Sequence, residues 1–165
     1  MSTRKSMTHT IDLVKAHQEF LQLEMYTWDA YKVCLRSMKI TENELWILLE
    51  IEEGSPMICQ ADIARSLRLP IQTVNSALTK MVNRGWIELY SLPNNRKSKG
   101  IRLTEQGKAE CLPAIHLIHE AEQEALGSLS DKEINMILAI MRRYNEKLES
   151  GLQERFDPDQ KQNND

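Results

Sequence analysis

At 165 residues the chain is about one domain long and can bury a proper core. With 41% hydrophobic and 27% charged residues, only six Gly and five Pro, it has the composition of an ordinary globular protein with long helices. No apolar run approaches the roughly 20 residues of a membrane span, and no signal-peptide core follows the basic start, so a cytoplasmic protein with no membrane contact is expected. Cys34, Cys59 and Cys111 fit neither a disulfide framework nor a zinc ribbon.

In chain order, residues 1–9 are polar and read as a disordered tail. Residues 11–38 read as one long helix with two apolar stripes. One holds Val14, Leu21, Met25, Trp28 and Leu35; the other holds Phe20, Leu23, Ala30, Cys34 and Met38. A helix apolar on two sides needs cover on two sides. A second copy of the chain would supply it, and a central helix in a monomeric bundle is the alternative. The next helix opens on a capping box, Thr41 with Glu44 three residues on, and Ile40 with Leu45 can staple the entry. Leu45, Leu48, Leu49 and Ile51 form its buried face, Gly54-Ser55-Pro56 stops it, and Met57 and Ile58 suggest a minimal strand.

Residues 60–104 then form a basic island. They hold eight Lys or Arg against two acids, a balance of +6 in a chain whose net charge is −3. Such a patch is the electrostatic footprint of a surface that meets phosphate. Within it, a helix over residues 60–67 buries Ile63, Ala64 and Leu67, and the chain breaks at Arg68-Leu69-Pro70. A second helix over residues 71–84 buries Val74, Leu78, Met81 and Val82, and Gly85 ends it. Strands over residues 86–92 and 101–103 flank a cationic loop. Helix, turn, helix and hairpin in that order predict a winged helix-turn-helix. Gln72, Thr73, Asn75, Ser76 and Thr79 lie on the outer face of the second helix, with Lys80 beside them. These short amide and hydroxyl groups can exchange hydrogen bonds with base edges or phosphates, whereas a plain solvated face would be filled with Glu and Lys. Arg96, Lys97 and Lys99 complete the candidate contacts to double-stranded DNA from the wing.

After the wing, Thr104 caps a helix reaching about Leu126, with a kink expected at Pro113. Ser130 and Glu133 form a second capping box for a final helix with stripe Ile134, Ile137, Leu138, Met141, Tyr144, Leu148 and Leu152. Residues 157–165 read as a frayed tail. Residues 105–165 carry seven basic and thirteen acidic groups, so this region avoids DNA and leaves binding to the middle.

The stretch DIARSLRLPIQTVNSALTKMVNRGWIELYSLPNNRKSKGIRLTEQG resembles the MarR family of transcription regulators. The resemblance extends over residues 11–152. It rests on Ile63, Ala64, Thr73, Val74, Met81, Gly85 and Ile87, and on Leu103, Thr104 and Gly107 after the wing. It implies a mainly α fold with a small β hairpin and an obligate homodimer. Residues 11–38 and 105–152 would form the dimerisation region, and residues 41–104 the winged helix-turn-helix. It also implies repression at a near-palindromic operator, relieved by a small ligand or an oxidant. The sequence departs from the family at the wing, where an Asp and an Arg two residues on are usual and Asn95 and Lys97 stand instead, with Arg96 between them. A Lys cannot make the planar forked contacts of Arg. Cys59 and Pro70 stand where Ser or Thr commonly caps the two module helices.

In a dimer of this build, Trp28, Tyr31 and Trp46, with Met25 and His17, would line a cleft suited to a small aromatic ligand; filling the core is their alternative role. His116 and His119 with Glu120 lack a third and fourth metal ligand, so no metal and no cofactor is expected. Cys34 on an apolar stripe reads as a buried structural thiol. No phosphate loop, nucleophile elbow or triad pattern is present, so an enzyme is not expected. The competing function is a winged-helix protein-interaction module, since fold alone does not fix function.

Overall fold

The computed structural model describes residues 10–92 and 95–156, with the backbone alone for 95–97. Both expected terminal tails, residues 1–9 and 157–165, lie outside the described residues. The described elements are α1 (Leu13–Met38), α2 (Glu42–Glu53), α3 (Gln60–Ser66), α4 (Ile71–Asn83), β1 (Ile87–Leu92), β2 (Asn95–Leu103), α5 (Glu105–Gly127) and α6 (Asp131–Phe156). Contacts group them into two compact units, one running to His116 and the other beginning at Leu117, so the division falls inside α5 just past Pro113.

In the first unit the local signals act where the sequence places them. Asp12 caps α1, its carboxylate accepting from the N–H groups of Val14 (3.0 Å) and Lys15 (3.3 Å), a cap the apolar pattern alone did not reveal. Lys39 turns the chain out of α1 in the left-handed region at φ 53°. The Thr41–Glu44 capping box is complete: the Thr41 N–H donates to Glu44 Oε2 at 2.7 Å, and the Glu44 N–H donates to Thr41 Oγ1 at 3.4 Å. The core lies between α2, α3, α4, the hairpin and the first half of α5. Leu45, Ile47, Leu48, Ile63, Val74, Met81, Ile87, Ile101, Cys111 and Ile115 are all essentially closed to water. Full burial of a Leu, Ile or Val side chain stabilises by about 1.5–3 kcal/mol, so this shared core fixes the module.

The structure alters several expectations. Val82 is 40% exposed, because the wall it faces opens between α4 and β1 instead of closing on the core. Ala64 and Leu67 are only half-buried on the short α3. The strand expected at Met57 and Ile58 reduces to one bridge, Cys59 to Gly100, with the Ile101 N–H donating to the Ile58 carbonyl at 3.0 Å. The hairpin is longer than its polar sequence suggests: Tyr90 pairs with Gly100 and Ser91 with Lys99, so the expected cationic loop is largely strand. No residue of α1 is buried within the chain, and both apolar stripes face outward or are half-covered.

The second unit holds the end of α5 and all of α6. Ser130 and Glu133 close the second capping box, with the Ser130 N–H donating to Glu133 Oε2 at 2.8 Å and the Glu133 N–H to Ser130 Oγ at 3.4 Å. Like α1, α6 has no buried residue, and Ile137, Leu138, Leu148 and Leu152 stand exposed.

Candidate nucleic-acid interface

The turn between α3 and α4 is built from backbone geometry. Leu67 ends α3, Arg68 takes φ 52°, and the Leu69 N–H donates to the Ala64 carbonyl at 3.0 Å. Pro70 then caps α4 without a side-chain acceptor, and its carbonyl receives the N–H groups of Thr73 (2.9 Å) and Val74 (3.2 Å). Gln60 ties the two helices, its Nε2 donating to the Ile71 carbonyl at 3.0 Å. At the other module cap, Cys59 lacks a Ser or Thr hydroxyl, but Asp62 reaches back to accept the Cys59 N–H at 3.1 Å.

On α4, Gln72, Asn75, Ser76 and Thr79 are exposed and Thr73 is half-buried. The Ser76 hydroxyl donates to the Gln72 carbonyl (2.9 Å) and the Thr79 hydroxyl to the Asn75 carbonyl (2.8 Å). Their protons are therefore turned inward and their oxygen lone pairs outward. Beside this face runs a groove of about 410 Å³ between α3, α4 and the hairpin. Asn75, Thr79 and Asn83 form one rim, Ser98 and Lys99 the other, and Leu78, Val82 and Leu89 line it between. Asn83 is a member the sequence reading missed, although four-residue steps from Asn75 through Thr79 lead to it.

The cations of the basic island are mostly engaged by the protein itself. Arg65 lies 3.3 Å from Asp62, and Arg102 lies 2.7 Å from Glu88 while stacking over Tyr90. Arg84 stacks on Trp86 at 4.7 Å and donates to the Lys39 carbonyl at 3.1 Å. The Lys80 ammonium is 3.4 Å from the carboxylate of Glu44, and Lys99 donates to the Ser91 hydroxyl at 3.1 Å. The side chains of Arg96 and Lys97, candidate wing contacts, lie outside the described residues, as does that of Asn95.

The base of the wing is locked to the core. Gly85 adopts φ +73°, and the Thr104 hydroxyl donates to its carbonyl at 2.5 Å while accepting the Gly107 N–H at 2.9 Å. The Trp86 indole donates to Glu110 at 2.8 Å, which holds that carboxyl below its usual range. Tyr90 donates its hydroxyl to the Pro56 carbonyl, and Gly100 leaves the room its ring occupies. The Leu103, Thr104 and Gly107 pattern is thus a joint that fixes the wing relative to α5.

Of the candidate ligand residues, Trp28, Tyr31 and Trp46 form one aromatic cluster. Ring centroids lie 5.4 Å apart for Trp28–Trp46, 5.0 Å for Tyr31–Trp46 and 6.4 Å for Trp28–Tyr31. His17 is exposed and Met25 is 68% exposed. Cys34 is half-buried, not enclosed as expected, because α1 lacks cover within the chain. Cys111 is the enclosed thiol: burial first, then the neighbouring Glu110 charge, push its pKa up to about 11 against the smaller opposing pull of Arg84. No cluster of three or more metal-ligating side chains occurs among the described residues. No helix there is long and apolar enough to cross a membrane.

Residues 39–98 match the model of the MarR family. The chain is similar in fold to NMB1585, a MarR family regulator from Neisseria meningitidis, with a TM-score of 0.70 and 22% identity, covering 87% of this chain and 99% of that one. It is also similar to Staphylococcus aureus MepR in a DNA complex (TM-score 0.62, 20% identity, 78% and 96% covered). A third similar structure is S. aureus MarR in complex with salicylate and kanamycin (TM-score 0.62, 16% identity, 82% and 94% covered).

Proposed function

We propose that this chain, whose residues 39–98 belong to the MarR family, is a cytoplasmic, sequence-specific DNA-binding regulator of transcription and not an enzyme. The observation that carries this reading is the face of α4: Gln72, Asn75, Ser76 and Thr79 point outward, uncharged and hydrogen-bonding, beside a groove rimmed by Lys99. An α-helix fits the major groove, and side chains of this kind read base edges there while a wing contacts the backbone. Lys99, with Arg96 and Lys97, supplies the wing contribution. The DNA complex of the similar MepR structure supports the same choice.

The chain acts as a homodimer on a near-palindromic operator and represses. The exposed apolar stripes of α1 and α6 support the dimer, because patches of this kind mark association surfaces. Residues 11–38 and 105–152 are the dimerisation region in this reading. Relief comes from a small aromatic ligand seated at Trp28, Tyr31 and Trp46, with Met25 and His17 at its margin; the salicylate complex of a similar protein supports that class. The ligand acts by favouring a dimer whose recognition helices are mis-spaced for successive major grooves.

Selection of bound sites from a random duplex library tests this function. A two-fold symmetric consensus is expected, and an unenriched pool would exclude sequence-specific binding. The exposed apolar groove lining, Val82 and Leu89, favours one second reading, a winged helix that docks a protein segment. A mobility shift on duplex DNA that weakens with salt separates the two.

A further inference from the structure

We infer that Glu44 is a positioning residue for DNA binding: it takes up the charge of Lys80, the one charged side chain of α4, so that the recognition helix meets DNA without a cation of its own. The inference rests on the DNA-binding reading of α4. Glu44 belongs to α2, and its capping box accounts for only one of its two carboxylate oxygens, Oε2. The other, Oε1, is buried and accepts no hydrogen bond among the described residues, and the residue as a whole is 3% exposed. A buried carboxylate oxygen without a donor is costly unless a counter-charge stands by it. The Lys80 ammonium, 3.4 Å away, is that counter-charge.

The two partners are not equivalent. The Lys80 side chain is largely exposed, so losing Glu44 returns its ammonium to water at little cost. Losing Lys80 would leave the Glu44 carboxylate buried with an unanswered oxygen. The stem of Lys80 therefore bends toward α2 because Glu44 needs it there. Arg84, just past the end of α4, follows the same pattern, stacked on Trp86 and donating to the Lys39 carbonyl. Phosphate contact thus falls to side chains outside α4, and α4 is left with hydrogen bonding to base edges.

The test is equilibrium binding of the full chain to one duplex across a salt series, for wild type, Glu44→Gln, Lys80→Gln and the double variant. Glutamine at 44 keeps an oxygen for the Thr41 N–H, removes the charge and leaves no acceptor facing Lys80. Each phosphate contact contributes about 0.9 to the slope of log K against log salt. With Lys80 released, Glu44→Gln is expected to steepen the slope by about one and to tighten binding to all sequences at low salt. Lys80→Gln should leave the slope at the wild-type value, and the double variant should return to it. Thermal unfolding checks that each variant folds; if Glu44→Gln does not, the Lys80→Gln slope alone decides. A Lys80→Gln slope flatter by about one, or a folded Glu44→Gln with an unmoved slope, overturns the inference while leaving DNA binding intact. A wild type that binds no duplex overturns both.

Discussion

Gly107 lies so close to Trp86 that a β-carbon on the glycine would stand 1.9 Å from the Trp86 carbonyl oxygen. That oxygen is backbone and already receives the Thr104 N–H at 2.9 Å, so neither it nor the start of α5 can yield cheaply. Gly107→Ala should cost about 3 kcal/mol or more, in the range of severe overpacking, and loosen the wing from α5. Urea unfolding checks it; a loss below about 1 kcal/mol would mean the joint is soft.

If α4 specifies and the wing positions, the two sets of variants separate cleanly. Asn75→Ala or Ser76→Ala should change preference at particular base pairs, by about 1–3 kcal/mol where a base contact is lost. Lys99→Ala should weaken all sequences alike and flatten the salt slope by about one. Binding measured on a panel of single-base operator variants shows which residues carry sequence information. The opposite assignment would follow from a Lys99 variant that re-ranks the panel.

The bare stripes of α1 and α6 predict association through both ends of the chain. A charge set into either, as in Leu21→Glu or Leu148→Lys, should shift sedimentation from dimer toward monomer. Truncation after Asp131 should leave an unfolded or aggregating product. A soluble, well-folded monomer from that truncation would refute a dimer built on the terminal helices.

Cys111, with its thiol pKa raised to about 11, is about one part in ten thousand thiolate at neutral pH. Iodoacetamide applied to the folded protein should label the half-buried Cys59 first and leave Cys111 intact until denaturant is added. Peptide mass mapping reads the order directly. Early labelling of Cys111 would show that its enclosure opens readily.

Acid should weaken the fold through Glu44. Burial alone would raise its pKa, but the Thr41 N–H and hydroxyl and the Lys80 ammonium together outweigh burial and hold it below 4.5. A carboxyl depressed in the folded state contributes stability above its unfolded pKa, and that contribution is lost as pH falls through the folded one. The stability difference between wild type and Glu44→Gln should therefore be constant at neutral pH and shrink below about pH 4.5. Denaturant titrations at a series of acid pH values measure it. A difference that grows on acidification would reverse the sign of the argument.

Local signals were legible in the sequence because their partners are close along the chain. Thr41 with Glu44 and Ser130 with Glu133 satisfy helix ends three residues away, and Gly85 stops a helix by its own backbone. What depended on distant partners was not legible. Asn95 to Gly100 is polar and cationic and reads as loop, yet much of it is strand because β1 pairs with it. Val82 follows the apolar period of α4, but whether it is covered depends on how the hairpin leaves the helix. Glu44 was read only as a cap, since nothing near it in sequence announces Lys80 on another helix. The two stripes of α1 were visible, but the sequence left open whether another helix of the chain or a second copy covers them.

The absence of any buried residue in α1 or α6 bears on how much of the protein must be present for it to work. When a second copy supplies that cover, folding obeys mass action, and the unfolding midpoint rises with protein concentration. Stability then belongs to the population of chains and not to the single molecule. A cell that dilutes such a regulator by growth would lower its occupancy of DNA and its resistance to proteolysis together, with no inducer present.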